Sequence, residues 1–261
     1  MTPFSASQIE ALGDVARAWP STPFALIGAS ALSHHIALSW RQTQDLDLTI
    51  AVDLEDLPAS TAKLVGWTRH PRLEHQWQSP LGVKVDLVPA GPGLLAAGYL
   101  KWPIGGFTMN LVGLDLALAH TVPLALPDGV VIRVASAPAI AVLKMTAWLD
   151  RPADRERVLA DLAHLFDEYL DGGDERRYDV PVMEQGLSYD EVGPYVLGRE
   201  LAAIVKPSHR AVIDAFLAKV GDQYNAPHAQ MRRLGPASLR RDDDALAVRL
   251  EALRRGLGIA P

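Results

Sequence analysis

The chain has 261 residues and no cysteine. That excludes a disulfide framework and any zinc site built on thiolates. Long apolar runs are missing too: nothing approaches the ~18 consecutive apolar residues of a spanning helix, so no membrane partner is expected. The first residues carry no basic segment ahead of an apolar one, as a secretory leader would. These absences set the expectation of a soluble, cytoplasmic protein. A surplus of positive charge is also absent. With 25 Lys and Arg against 31 Asp and Glu, the formal net charge is −6. A general nucleic-acid coat needs basic excess to neutralise phosphates, so that class is disfavoured. Apolar residues make up 49% and charged residues 21%, which indicates an ordered globular chain long enough for two subdomains.

What the chain does have is an unusual placement of acids. In Arg41-Gln-Thr-Gln-Asp45-Leu-Asp47-Leu48, two carboxylates stand at i and i+2 where the apolar strand-like run Leu46 to Val52 begins. Alternate strand residues project to one face, so Asp45 and Asp47 are expected side by side. Neighbouring carboxylates resist ionising together unless a cation sits between them. Mg²⁺ takes such oxygen ligands and leaves positions open for phosphates. Upstream, Phe24 to Ile27 reads as a short buried strand that runs at once into Gly28-Ala29-Ser30 and a helix to Ser39. Glycine and serine at a strand-to-helix turn let backbone N–H groups approach an anion. Downstream, Val83 to Val88 alternates with one acid, Asp86, at its centre. A phosphate cradle at Gly28 and Ser30 beside the carboxylates Asp45, Asp47 and Asp86 suits metal-assisted nucleotidyl transfer. Asp86 is then either a third metal ligand or the base that takes the acceptor's proton.

The order Gly-Ala-Ser, Arg-x-Thr-x-Asp-x-Asp and a lone strand Asp resembles the nucleotidyltransferase superfamily that includes DNA polymerase β. More narrowly, the chain resembles the AbiEii-type nucleotidyltransferase toxins. That resemblance extends through Val130 to Val134, then Ser136-Ala-Pro138 and the helix bearing Lys144-Met145-Thr146-Ala147. Arg151 and Ala160-Asp161-Leu162 follow, and the similarity covers roughly residues 23 to 170. Family members often carry Lys-Asp shortly before the second-helix Asp; here Arg157 and Val158 occupy those places.

The resemblance implies a polymerase β-like mixed α/β sheet with flanking helices over residues 1–135. A helical domain over residues 136–261 would contribute Lys144 and Asp161 to the cleft. It also implies an NTP substrate, Mg²⁺ on Asp45, Asp47 and Asp86, and Lys144 on the triphosphate, with Asp161 orienting that lysine or the nucleotide. Arg41 would contact phosphate or brace Asp45. The implied acceptor is a tRNA, and the implied partner a cognate antitoxin in a type IV toxin–antitoxin system. Two other readings stand beside it: a small-molecule, aminoglycoside-type nucleotidyltransferase with an acidic acceptor pocket, and a non-catalytic nucleotide-binding module.

Other features read more plainly. Ser7 and Glu10 match a capping box opening a helix to about Trp19. Short strands are expected at Trp67–His70 and Glu74–Gln78, and Asp128-Gly129 marks a hairpin turn. Helices are expected at 138–149, 154–169, 189–205, 208–220 and 243–257, with a polar loop over 171–177. His34, His35, His70 and His75 lack the three or four converging partners of a zinc site and read as structural or surface residues. Trp67 and Trp77 read as core. From Lys206 onward Lys and Arg outnumber acids, through Arg210, Lys219, Arg232, Arg240, Arg249 and Arg254 among others. That stretch reads as a solvated helical surface, with an RNA-binding face as the alternative.

Overall fold

The alternating runs become strands in the computed structural model, which describes residues 3–41, 43–170 and 172–259. The chain divides into two compact units, Met1–Leu143 and Lys144–Pro261. Composition placed the change at residue 135/136; the division instead falls inside an apolar helix, whose Val142 and Leu143 lie against Gly113.

The first unit opens with α1 (Ala6–Ala18), β1 (Phe24–Ile27), α2 (Gly28–His35), β2 (Leu46–Ile50) and α3 (Leu57–Thr61). Next come β3 (Thr68–Arg69), β4 (Gln76–Gln78), β5 (Lys84–Pro89) and α4 (Pro92–Ala97). The hairpin β6 (Tyr99–Lys101) and β7 (Thr108–Asn110) follows, then α5 (Leu114–Ala119), β8 (Thr121–Ala125), β9 (Val131–Ala135) and α6 (Ala137–Asp150). Seven strands form one sheet in the order β3-β4-β5-β2-β1-β9-β8. It is mixed: β1 runs antiparallel to β2 and parallel to β9, while β2 runs parallel to β5. The β8–β9 hairpin turns at Asp128-Gly129, as the dipeptide predicts, with Gly129 at φ +82°.

Pairing register sorts the side chains by face. Leu46, Leu48 and Ile50 of β2 stand beside Val85, Leu87 and Pro89 of β5 and opposite Leu26 and Phe24 of β1. Nearly all of these are fully buried and make the core face. The intervening residues, Asp47 and Asp86 among them, must face the other way.

Helix α1 starts two residues earlier than the Ser7–Glu10 signal suggests. Its capping box is Ser5 with Gln8. The reason is burial: Gln8 is almost wholly enclosed, and its amide both accepts from the Ser5 N–H (2.9 Å) and donates to the Gln44 carbonyl (3.2 Å). At the far end of the sheet Asp53 caps α4, accepting from Leu94 N–H at 2.8 Å and Gly93 N–H at 3.2 Å.

The second unit is helical: α7 (Glu156–Glu168), α8 (Val180–Met183), α9 (Tyr189–Ile204), α10 (Pro207–Val220), α11 (Ala226–Leu234), α12 (Ser238–Arg241) and α13 (Ala245–Gly256). Helices α9 and α13 cross at glycines. A Cβ on Gly198 would stand 2.3 Å from the Leu253 carbonyl oxygen, and one on Gly256 2.1 Å from that of Tyr195. The polar 171–177 segment is partly a 3₁₀ turn over Glu175–Tyr178, and Asp171 lies outside the described residues. Arg177 in that turn is buried, donating to the Leu170 and Tyr189 carbonyls.

The basic C-terminal stretch is largely spent on the unit itself. Arg249 is buried and pairs with Asp167 (2.6 Å) and Asp190 (3.3 Å). Arg232 pairs with Asp243, Arg210 with Asp214, and Arg254 donates to the Leu217 carbonyl. Neither a wholly solvated surface nor a free cationic face describes it.

Candidate active site

The end of β1 and the start of β2 meet at a single point. Ile27 is paired with Asp47, and the next residue, Gly28, takes φ +71° to turn the strand into α2. A Cβ at Gly28 would lie 2.1 Å from Asp47 Oδ2 and 2.6 Å from its Cγ. Glycine is required twice over, for the left-handed backbone and for room beside the carboxylate. The N-terminus of α2 thus opens beside Asp47, with no side chain capping it.

Asp86 stands next to Asp47 across the parallel β2–β5 pair. Partners in register share a face, so these two carboxylates are neighbours on the sheet surface opposite the core. Burial pushes the Asp86 carboxyl above its ordinary value, and the charge of Asp45 adds to the shift. His75, a hydrogen bond from Gln76 and the charge of Lys84 act the other way. Gln76 Nε2 donates to Asp86 Oδ1 at 3.3 Å, and His75 Nε2 lies 4.0 Å from Oδ2.

Asp45 departs from the expected strand pair. It is exposed at a bend, and β2 begins one residue later at Leu46. The cause is Ser30. Its hydroxyl, fully buried, donates to the Asp45 carbonyl at 2.7 Å and holds the backbone there, assisted by Thr43 Oγ1 at 3.4 Å. The Ser30 side chain therefore braces the acidic loop instead of facing a phosphate. Among the described residues no three His, Asp or Glu side chains converge closely enough to hold an ion as they stand. Asp45 stands at the bend just before β2, outside the strand alternation that aligns Asp47 with Asp86. The oxygen donors nonetheless suit Mg²⁺, which usually takes one or two carboxylates and fills its remaining positions with water and substrate phosphates. The mutual repulsion felt at Asp86 is what a divalent cation would relieve.

Arg41 lies half-buried in the connection between α2 and β2, and Gln42 beside it is outside the described residues. In the second unit, Lys144 Nζ donates to Asp161 Oδ2 at 2.6 Å, and both residues are buried. A lysine near the middle of α6 and an acid in the second turn of α7 thus form an enclosed ion pair.

Two residues near Asp86 escaped the motif reading. His75 looked structural because it has no metal-ligand spacing. Its place beside Asp86 follows from the β4–β5 register, with its carbonyl accepting from Leu87 N–H at 2.7 Å. Its ring packs on Trp102 and Phe107 at centroid distances of 5.5 and 5.8 Å. Gln76 faces Asp86 as its direct antiparallel partner; an alternating run paired with the Asp86 strand was the only signal for it.

No helix among the described residues is long and apolar enough to cross a membrane. The family model described as nucleotidyl transferase AbiEii toxin, type IV toxin–antitoxin system, matches residues 11–247. No curated protein is similar enough to count as a match. Among solved structures, an antigenic nucleotidyltransferase-like protein from Paracoccidioides brasiliensis shares 16% identity at a TM-score of 0.43, over 70% of this chain and 86% of its own. JHP933 from Helicobacter pylori shares 15% at 0.40, over 98% and 95%. ANT(2″)-Ia in complex with adenylyl-2″-tobramycin shares 15% at 0.39, over 60% and 86%.

Proposed function

The chain belongs to the AbiEii nucleotidyl transferase toxin family, and on that premise we propose that it moves a nucleotide from an Mg²⁺-bound NTP to a terminal hydroxyl of RNA. That it is a nucleotidyltransferase follows from the family itself. The finer reading makes it the toxin half of a type IV pair, with a tRNA 3′ end as acceptor and a cognate antitoxin as partner in the cytoplasm. One observation carries the chemistry: Asp47 and Asp86 are register partners on one sheet face, directly beside the Gly28 turn and the open N-terminus of α2.

Each residue then has a role. Asp45 and Asp47 would hold Mg²⁺ together with the NTP phosphates. When bound, the ion would stabilise charge on the phosphate oxygens. Backbone N–H groups after Gly28 receive phosphate at the positive end of α2, and Ser30 fixes the Asp45 loop. Asp86 acts as proton acceptor, aimed by Gln76 on one oxygen with His75 near the other. The acceptor hydroxyl oxygen forms a bond to the α-phosphorus, and the bond from that phosphorus to the pyrophosphate oxygen breaks. The hydroxyl proton goes to Asp86, and the electron pair of the broken bond leaves with pyrophosphate. For Lys144 the resemblance supplies contact with triphosphate oxygens; its pairing with Asp161 supports the part in which the acid orients the lysine.

The test is a titration of Mg²⁺–NTP against wild type and an Asp45→Asn/Asp47→Asn variant, with Ca²⁺ replacing Mg²⁺ in a control. Binding should be metal-dependent in wild type and weakened at least tenfold in the variant. Equal, metal-independent binding would indicate a nucleotide-binding module and overturn the proposal.

A further inference from the structure

The face that carries Asp47 and Asp86 continues past them to the sheet edge. Gln76 pairs with Asp86, Gln78 with Lys84, and Thr68 with Gln78, while His70 lies two residues beyond Thr68. Alternation and register therefore put Thr68, His70, Gln76, Gln78 and Lys84 on the face of the acidic pair. These side chains line a groove of 240 Å³, to which Arg69, Pro71 and Trp77 also contribute. It begins at the residue that hydrogen-bonds Asp86 and crosses two strand spacings, about 10 Å, to the edge strand.

The chemistry of the groove is one-sided. Among the described residues no carboxylate lines it. Gln76 and Gln78 offer amide donors, and Lys84 stands exposed at the first position of β5, two residues from Asp86. His70 Nδ1 accepts from the N–H groups of Arg72 and Leu73 at 3.2 and 3.0 Å. With Nδ1 accepting, the ring proton sits on Nε2, which is a further donor. Arg69 is occupied by Glu74, through Nε to the carbonyl at 3.3 Å and Nη2 to the carboxylate at 3.6 Å. Lys84 is then the principal charge offered to a ligand. A polycationic aminosugar would need acids here, and none are present. Anionic oxygens spaced along a strand would be well received.

From this we infer that the groove is the acceptor subsite and that it holds the backbone of a single-stranded nucleic acid. A phosphate near the acceptor's end rests against Lys84 and places the terminal hydroxyl beside Asp86. The inference rests on the transferase reading, but its claim concerns binding, which can be measured without turnover.

Lys84 and Thr68 are both exposed, so substitutions there leave the core intact; thermal unfolding would check this. A short single-stranded RNA with a free 3′ hydroxyl and a 5′ fluorophore would be titrated by anisotropy at several salt concentrations. Wild type would be compared with Lys84→Gln, Lys84→Glu and Thr68→Glu, and transfer from labelled NTP measured in parallel. Lys84→Gln should weaken RNA binding about fivefold and make the slope of log K against log salt shallower by about 0.7, the value for one single-strand phosphate contact. The two glutamate variants should bind more weakly still. RNA affinity and salt slope unchanged in all three variants would overturn the groove assignment while leaving the transferase reading intact. The expected binding pattern without any transfer would do the reverse. A polycationic aminosugar bound in preference to RNA, and more tightly by Lys84→Glu, would also overturn it.

Discussion

The Lys144–Asp161 pair offers the sharpest energetic prediction. The two side chains are only 8% and 1% exposed, and the 2.6 Å contact is short even for a charge-assisted bond. Replacing Asp161 by Asn preserves shape and volume but leaves the ammonium of Lys144 enclosed without its counter-charge. Breaking a buried pair from one side costs about 3–5 kcal/mol, against about 0–1 kcal/mol for an exposed pair. Exposure this low calls for the larger figure. A loss of that size is a large share of the about 5–15 kcal/mol by which domains are stable. With an m-value near 2 kcal/mol/M, the urea midpoint should fall by about 2 M. Urea denaturation followed by circular dichroism reads this directly. A fall of less than about 0.5 M would mean the pair behaves as a surface contact, and the reasoning from burial would fail.

Further outcomes follow from other contacts. Gly28→Ala should abolish nucleotide transfer, because its Cβ collides with Asp47 and the φ of +71° disfavours alanine; steady-state kinetics showing near-normal turnover would contradict this. Ser30→Ala removes a buried bond to the Asp45 carbonyl and should cost about 1–3 kcal/mol by chemical denaturation, with a larger proportional loss in Mg²⁺–NTP affinity than in stability. Gly256→Ala drives a methyl into the Tyr195 carbonyl and should destabilise the second unit by about 1–3 kcal/mol or more in a thermal melt. Hydrogen bonds from Arg176 hold the Asp174 carboxyl below its ordinary range. Its stabilisation is therefore fully present above about pH 3.9 and lost as pH falls through the lower, folded value. Carboxyl NMR titration should show that depressed midpoint, and Arg176→Gln should move it back toward the ordinary one, with the backbone N–H of residue 176 still holding part of the shift.

Where the sequence could be read correctly, the signal was local and periodic. Alternation placed Asp47 and Asp86 opposite the core face, and the glycine after a four-residue buried strand marked the turn beside them. Asp45 misled for a tertiary reason. The strand-like run starts at Leu46 and so does β2, but the buried Ser30 hydroxyl, fifteen residues upstream, holds the Asp45 carbonyl in a bend and keeps that residue out of the alternation. His75 and Gln76 were illegible because their contact with Asp86 depends on how β4 pairs with β5, and a strand of three residues carries little periodicity. The basic C-terminal stretch looked superficial since charge is normally exposed; Arg249 is enclosed only because Asp167 and Asp190 come from two other helices to meet it. Helix α11 (Ala226–Leu234) was missed altogether. Its apolar residues are few, and His228, buried with Nδ1 on the Val220 carbonyl at 2.7 Å, does much of the packing that leucines would announce. Recognisable motifs end near residue 170, whereas the family match runs to 247.

The central claim is that Asp47 and its neighbours transfer a nucleotide, and it is tested most directly with each of the four NTPs labelled at the α-phosphate. Each would be incubated with Mg²⁺, total tRNA and either wild type or Asp47→Asn, with pyrophosphate release followed alongside. Label should pass from one NTP into tRNA with an equal amount of pyrophosphate, and Asp47→Asn should lose both by at least a hundredfold. Label entering tRNA equally well with Asp47→Asn, or no transfer and no pyrophosphate from any NTP with wild type, would contradict the account.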